Sequence, residues 1–208
     1  MSEARAPIRA IGIGGAILIA TTDRLILRAW RPDDEACFFA VMNTRAVMRW
    51  LGGVQTPEQW HAAFERISGF ERDFGHTFWI VERKPDGGHL SGELLGFCGL
   101  KRVNAGGTDL TGQHEIGWRL REDAWGRGYA KEAAIASLDL AFTRYEAPHV
   151  VALTVEGNDA SWRLMEKLGL TRRDELDFTD PRYGPELNPT IVYRIERDEW
   201  SSARAAQG

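Results

Sequence analysis

Two hydrophobic rhythms alternate along the chain. Between residues 114 and 120, apolar Ile116, Trp118 and Leu120 alternate with Glu115, Gly117 and Arg119. Period two is the signature of a strand. From Lys131 the spacing becomes helical, with Ala134, Leu138 and Ala141, or Ile135, Leu138 and Phe142, on one face. Strand patterns also cover residues 21–28, 77–83, 94–101 and 190–195, and His149 to Val155 is an apolar run fit for a buried strand. A short strand is expected at 170–173. Pro32-Asp33-Asp34-Glu35 opens a helix carrying Phe38, Phe39 and Met42, with acids placed to complement its dipole. Thr56-Pro57-Glu58-Gln59 opens a second, with a threonine cap and glutamine three residues on; Trp60, Phe64, Ile67 and Phe70 follow. A further helix carries Trp162, Leu164, Met165 and Leu168 and stops at Gly169.

This order predicts an α/β domain with helices on both faces of a sheet. It spans residues 21–200, with an N-terminal extension over 1–20 and a flexible tail over 201–208. The run IGIGGAILIA at 11–20, preceded by Arg5 and Arg9, looks like a short signal peptide. It is too short to span a bilayer, which takes about 20 apolar residues. An extra strand or a flexible extension is the expected reading.

Composition narrows the class. At 208 residues, 43% hydrophobic and 27% charged, the chain reads as one ordinary globular domain. A net charge of −4 without a Lys/Arg run argues against nucleic acid as the main partner. No membrane partner is expected. Cys37 and Cys98 read as small buried hydrophobes in a reducing cytoplasm. No Cys/His spacing suggests a metal.

Between the strand at 114–120 and the helix after it lies Trp125-Gly126-Arg127-Gly128-Tyr129-Ala130. Glycines at a helix start let backbone amides approach a ligand, and those amides form an anion site suited to pyrophosphate. A plain tight turn would use the same glycines. A P-loop would need Gly-Lys-Ser/Thr, which is absent. A dinucleotide fingerprint is closer, with Gly126, Gly128 and Glu156 as its acid, but Lys131 takes the small packing position and residues 121–124 part the strand from the turn.

The segment resembles the pyrophosphate loop of the GNAT superfamily of acyl-CoA N-acyltransferases, Gln/Arg-x-x-Gly-x-Gly/Ala, with Trp125 in the Gln/Arg place. That tryptophan, with Glu132-Ala133 in the next helix, resembles the RimJ/RimL-like branch of ribosomal-protein-alanine N-acetyltransferases. A second stretch, Asn158-Asp159-Ala160-Ser161 through Lys167-Leu168-Gly169-Leu170, is similar to the Asn-x-x-Ser…Lys-Leu-Gly-Phe segment of the same family. Leu170 departs from it. Asn158 and Ser161 would equally serve as helix caps.

The resemblance implies a mixed sheet splayed between the fourth and fifth strands, at Glu115–Leu120 and Val150–Val155, with the cofactor in the splay. It implies direct acetyl transfer from acetyl-CoA to a primary amine, either a protein N-terminus or a small amine. Gly126, Arg127, Gly128, Tyr129 and Ala130, with Trp125, would bind the pyrophosphate. Asn158 would hold the pantetheine arm, with backbone contacts from Arg119 and Leu120, and a backbone N–H around Trp118 would meet the oxyanion. Glu115 is the candidate base, His114 the weaker one. Ser161 is the candidate donor to the thiolate, with Tyr129, Tyr183 and Tyr193 as alternatives. Trp30, Trp50, Trp118, Trp125 and Trp162 are candidate cleft residues, though at least half are expected in the core. A monomer or homodimer is expected. A nicotinamide dinucleotide enzyme and a non-catalytic acyl-CoA-binding module remain as alternatives.

Overall fold

The computed structural model describes residues 12–13 and 15–206. Three strands come first: β1 (Gly12–Ile13), β2 (Ala16–Thr21) and β3 (Leu25–Arg28). Helices α1 (Asp34–Met42), α2 (Arg45–Met48) and α3 (Pro57–Phe74) follow. Then come β4 (Phe78–Arg83), β5 (Leu94–Arg102), β6 (His114–Leu120), α4 (Tyr129–Thr143), β7 (His149–Val155) and α5 (Asp159–Lys167). The chain closes with β8 (Thr171–Arg172), β9 (Thr190–Glu196) and α6 (Arg197–Ala205). One sheet runs in the order β1-β2-β3-β4-β5-β6-β7-β9-β8.

Every neighbouring pair is antiparallel except β6 and β7. Those two parallel strands register at a single position, Glu115 opposite Val151. By contrast, β5 and β6 pair continuously from Gly96–Leu120 to Arg102–His114. From Ile116 onward the edge of β6 that faces β7 therefore has no strand partner, and the sheet opens there. Two strands ahead of β3 raise the count, so the splay expected between the fourth and fifth strands falls between the sixth and seventh.

Strand alternation sends side chains to two faces. Leu25, Leu27, Val81, Leu95, Cys98, Ile116 and Leu120 share one core with Ala134, Leu138 and Phe142 of α4, Met165 of α5 and Trp200 of α6. On the other face Phe78, Ile80 and Phe97 pack with Phe38 and Met42 of α1, Val47 and Met48 of α2, and Trp60 of α3. Farther along that face, Val151 and Val192 are covered by loop residues Val103, Leu110 and Phe178. The helical cover thus stops where β6 and β7 part.

Local signals explain most boundaries. The Thr56 hydroxyl accepts from Gln59 N while the Gln59 side chain accepts from Thr56 N, a capping box in front of Pro57. Gly75 closes α3 at φ +72 and Gly169 follows α5 at φ +88. Four differences stand against the sequence reading. The helix expected from Lys131 starts at Tyr129, with Gly128 in the left-handed region at φ +80 as its N-cap. The one-turn helix α2 has too few residues to show a period. Residues 201–205 are helical rather than a loose tail, held by Trp200 in the core and by a capping box between Glu196 and Glu199. Cys98 is buried but Cys37 is exposed. Of the run at 11–20, the described residues supply β1 and all of β2 but Thr21, at the sheet edge.

One buried ionic cluster ties α1 to the sheet. Arg28 of β3 is 2% exposed, bonds both Asp34 oxygens at 2.6 and 2.7 Å, and reaches Glu82 of β4 at 2.5 Å. Burial opposes its charge, but the two carboxylates more than offset this and hold the guanidinium above its ordinary value. Removing one partner of such a cluster leaves charge under-compensated. Asp34→Ala is expected to lower the unfolding free energy by about 3 kcal/mol. Urea denaturation checks this; a loss under about 0.5 kcal/mol, the level of an ordinary surface change, would contradict it.

Candidate active site

A cavity of about 990 Å³ runs through the opening, from the aromatic residues of α1 and α3 past β6 to the start of α4 and α5. One end of it is built by the loop after β6. That strand ends in a single 3-10 turn, Glu122–Ala124, and Trp125 folds back so that its Nε1 donates to the Leu120 carbonyl at 2.7 Å. Gly126 and Gly128 then take φ values of +70 and +80, where a side chain is strained. The first helical bond runs from Glu132 N to Gly128 O at 3.0 Å. Amides from Gly126 to Lys131 thus precede the ladder and are free to bind an anion.

This helix mouth opens onto the cavity, which Gly126, Gly128, Ala130 and Lys131 line. A Cβ at Gly126 would meet no atom within 4 Å, and one at Gly128 would meet only Arg24 Nη2 at 3.4 Å. Glu132, an acid in the first turn, is tied down beside it. Its carboxylate accepts from the Thr22 hydroxyl at 2.5 Å, Arg24 N at 2.8 Å and Arg24 Nε at 2.7 Å. Arg24 also donates to the Arg127 carbonyl at 3.0 Å and lies over the Tyr129 ring. The negative charge at the helix start is therefore compensated before any anion arrives.

Across β6 the chemistry changes with strand parity. Ile116, Trp118 and Leu120 turn to the α4 core, whereas Glu115, Gly117 and Arg119 face α1–α3. Gly117 is required between its neighbours, because a Cβ there would sit 2.7 Å from Phe78 Cζ. Glu115 is 8% exposed and ion-paired with Lys101, its cross-strand partner on β5. Asp180 holds Arg182 in a 2.5 Å salt bridge on the far wall, which keeps its carboxyl below the usual range. The Lys101 charge lowers it further, and Glu115 in turn supports the Arg182 cation, so two acids and two bases form one group.

The structure brings most candidate residues to this cavity. Glu115, Trp118, Arg119, Leu120, Trp125, Gly126, Gly128, Tyr129, Ala130, Asn158, Ser161 and Tyr183 all line it. Asn158 stands at the start of α5 without capping it; its Nδ2 donates to Thr154 Oγ1 at 3.1 Å. Ser161 is half-buried, and its hydroxyl makes no hydrogen bond among the described residues. Arg127 is exposed and outside the lining, although Lys131 is inside it.

Three alternatives fall away. His114 bonds Arg102 at 3.1 Å and packs on His76 at the opposite end of β6, outside the cavity. Tyr193 also lies outside and donates to Glu166 at 3.4 Å. Tyr129 lines the cavity, but its hydroxyl is engaged elsewhere: it accepts from Arg83 Nε and donates to the His89 carbonyl. Of the tryptophans considered, Trp30, Trp50, Trp118 and Trp125 line the cavity and Trp162 does not; Trp60 does as well. Sequence reading missed Lys101, Asp180 and Arg182. Lys101 meets Glu115 only through the β5–β6 register, and the other two sit in a loop with no periodic signal.

These features match a known family. Its sequence profile, described as an acetyltransferase (GNAT) domain, matches residues 24–171. The chain belongs to the GNAT acetyltransferase family. It is 33% identical over 150 residues to the uncharacterised protein YkkB of Bacillus subtilis (strain 168), covering 72% of this chain and 83% of that one. It is 27% identical over 184 residues to YnaD, an uncharacterised N-acetyltransferase of the same strain, covering 87% and 98%. An acetyltransferase structure from Agrobacterium tumefaciens str. C58 superposes with a TM-score of 0.71 at 26% identity, over 85% of this chain and 93% of that chain. The dinucleotide-enzyme alternative is thereby corrected: a GNAT sheet, antiparallel but for one pair, stands where a parallel doubly wound sheet would be needed. Among the described residues no group of three His, Cys, Asp or Glu is placed to hold a metal, and no helix is long and apolar enough to cross a membrane.

Burial, with the charges of Arg102, His76 and His149, pushes the His114 imidazole down to about 4. It is therefore neutral in the folded GNAT domain, while an unfolded histidine takes up a proton near pH 6.5. Between pH 6.5 and 4 the unfolded chain binds more protons, so stability is full above this window and falls through it. His114→Gln is expected to reduce the loss of unfolding free energy between pH 7 and 4.5 by about 1–3 kcal/mol relative to wild type. Urea titrations at both pH values check it; an unchanged loss would contradict it.

Proposed function

We propose that the protein is an acetyl-CoA-dependent N-acetyltransferase of the RimJ/RimL-like kind that acetylates a primary amine by direct attack. The observation that carries this reading is one cavity with two chemically different walls. The mouth of α4 faces it from one side of the β6–β7 opening, and the Glu115 carboxylate faces it from the other. The branch assignment rests on Trp125 and on the Asn158–Leu170 segment. A reducing cytoplasm suits its two free thiols, and it acts as a monomer or homodimer.

In this reading the amides from Gly126 to Lys131 hold the pyrophosphate, with the half-exposed Trp125 beside them and Arg127 at the rim. Asn158 holds the pantetheine arm, which runs along the unpaired edge of β6 past Arg119 and Leu120. The Leu120 carbonyl already accepts from Trp125, so Leu120 contributes chiefly by position. The thioester then lies near Trp118. The acceptor must arrive neutral: an α-amino group of pKa ~8 is roughly one-tenth neutral at pH 7, a lysine amine of ~10.4 less than about one part in a thousand. Its nitrogen attacks the thioester carbon, and a backbone N–H near Trp118 stabilises the oxyanion. As the carbon–nitrogen bond forms, the amine proton passes to Glu115, which Lys101 orients. The carbon–sulfur bond breaks, and the CoA thiolate takes a proton relayed by the Ser161 hydroxyl, which regains one from solvent while Glu115 releases the amine proton and returns to its carboxylate. No step requires a metal.

Thiol release from acetyl-CoA over a panel of amines tests the reading, with Glu115→Gln beside wild type. Turnover is expected with at least one amine. The variant is expected to lose about 100-fold in kcat, as for other positioned bases, while its Kd for CoA stays unchanged. Full turnover by Glu115→Gln would move the base elsewhere. Tight acetyl-CoA binding with no thiol release above background would make the protein a non-catalytic acyl-CoA-binding module.

A further inference from the structure

The charges around the cavity are unbalanced in a way the transfer chemistry does not use. Three cations lie at the cofactor end, Lys131 at the opening of α4 and Arg163 and Lys167 on α5. At the acceptor end Arg49, Arg66, Lys101, Arg119 and Arg182 meet only two acids, Glu115 and Asp180. Both acids are already engaged, Glu115 by Lys101 and Asp180 by Arg182. The chain as a whole carries −4, so this basic lining runs against the molecule's net charge.

Arg49, Arg66 and Arg119 are left without a carboxylate there; Arg49 and Arg66 are exposed, whereas Arg119 is half-buried. Its guanidinium reaches into the acceptor half of the cavity, over the Phe97 ring at 5.1 Å. Among the described residues its only hydrogen bond is from Nη1 to Met48 Sδ at 3.6 Å, and its buried Nε has no partner there. No carboxylate among the described residues pairs with it. Burial pushes the guanidinium down to about 10, which Tyr183 offsets only in part. A half-buried guanidinium offers several donors in a planar fork, and leaving them unmatched is costly. Elsewhere in this chain a buried arginine meets carboxylates, as Arg28 meets Asp34.

We propose that Arg119 is a specificity-determining residue that pairs with a carboxylate carried by the amine acceptor, so that the enzyme prefers small amino acids or other carboxylated amines over polyamines. This rests on the acetyltransferase reading above and specifies its acceptor. Arg119 lies four residues beyond Glu115 on the same face of β6, about 13 Å along the strand. The reacting amine approaches between them. An acceptor carboxylate on Arg119 thus fixes one end of the molecule while its nitrogen points at the thioester, with Phe78 and Phe97, stacked at 4.8 Å, as an apolar wall beside it. A polyamine would bring further cations to a wall that already holds an unneutralised one, and both acids there are occupied.

The experiment compares kcat/KM for matched acceptors, each as free carboxylate and as carboxamide, in wild type, Arg119→Gln and Arg119→Lys. Comparing ratios between enzymes cancels the different basicity of the two amines. Wild type is expected to favour the carboxylate over its amide by about 10- to 100-fold more than Arg119→Gln does, the range for a charge-assisted bond. Arg119→Lys is expected to fall between them, and spermidine to be a poor acceptor for wild type. Removing an unpaired buried charge leaves folding intact, so Arg119→Gln is expected to melt no lower than wild type; if it does unfold, the Arg119→Lys ratio decides. Equal carboxylate-to-amide ratios in all three proteins would overturn the proposal. So would spermidine as the best acceptor, or a weakened Kd for CoA in Arg119→Gln without a change in ratio, which would make Arg119 a phosphate ligand. If no amine is acetylated at all, the acetyltransferase reading has failed. Calorimetric binding of the same carboxylate and amide pairs to the acetyl-CoA-loaded protein then tests Arg119 separately: loss of carboxylate binding in Arg119→Gln supports it, and unchanged binding refutes it.

Discussion

The fold turns on the point where β6 and β7 stop pairing. A sheet that pairs strand to strand has no interior for a ligand, because every backbone group along each shared edge is occupied. Here a single register position, Glu115 with Val151, fixes the two strands relative to one another, and beyond it they separate. The parting is held open from both ends. Continuous antiparallel pairing ties β6 to β5 on one side and β7 to β9 on the other. The loop through Trp125 then starts α4 at the lip of the gap, so a helix N-terminus and an unpaired strand edge meet at one place.

From that opening the division of labour follows by parity. One side chain in two along β6 enters the α4 core, and the others enter the part of the cavity lined by α1 and α3. Glu115 and Arg119 lie on the same face because they are four residues apart, and Gly117 between them leaves room for Phe78. The two charged residues differ in their surroundings. Glu115 is matched within the protein by Lys101, whereas Arg119 has only a thioether and aromatic surface. That difference underlies the two proposed roles, proton transfer for the first and recognition for the second.

The strand–loop–helix unit from 114 to 143 was legible because three independent signals agree there: period two, paired glycines, then period 3.6. The capping box at Thr56 and Gln59 was legible for the same reason, since local chemistry sets it. The family resemblance supplied the splay, which no periodicity encodes; it depends on how far two strands distant in sequence stay in register. What escaped is non-local. Lys101 and Glu115 become neighbours only through a strand register. Asp180 and Arg182 reach the cavity from a loop without a hydrophobic pattern. His114 looked suitable as a base by residue type, yet its place at the buried end of β6 beside Arg102 and His76 removes it from the chemistry. The helical turn at α2 and the closing helix α6 were missed because one is a single turn and the other is anchored by Trp200 through tertiary contacts.

The proposed acyl transfer requires that the free amides at the start of α4 bind a diphosphate and so direct a thioester into the gap between β6 and β7. A crystal structure of the protein with CoA tests that requirement without intermediaries. Diphosphate oxygens are expected within hydrogen-bonding distance of amides between Gly126 and Lys131, with the pantetheine arm between β6 and β7. A diphosphate bound elsewhere, or a pantetheine arm outside that gap, would refute it.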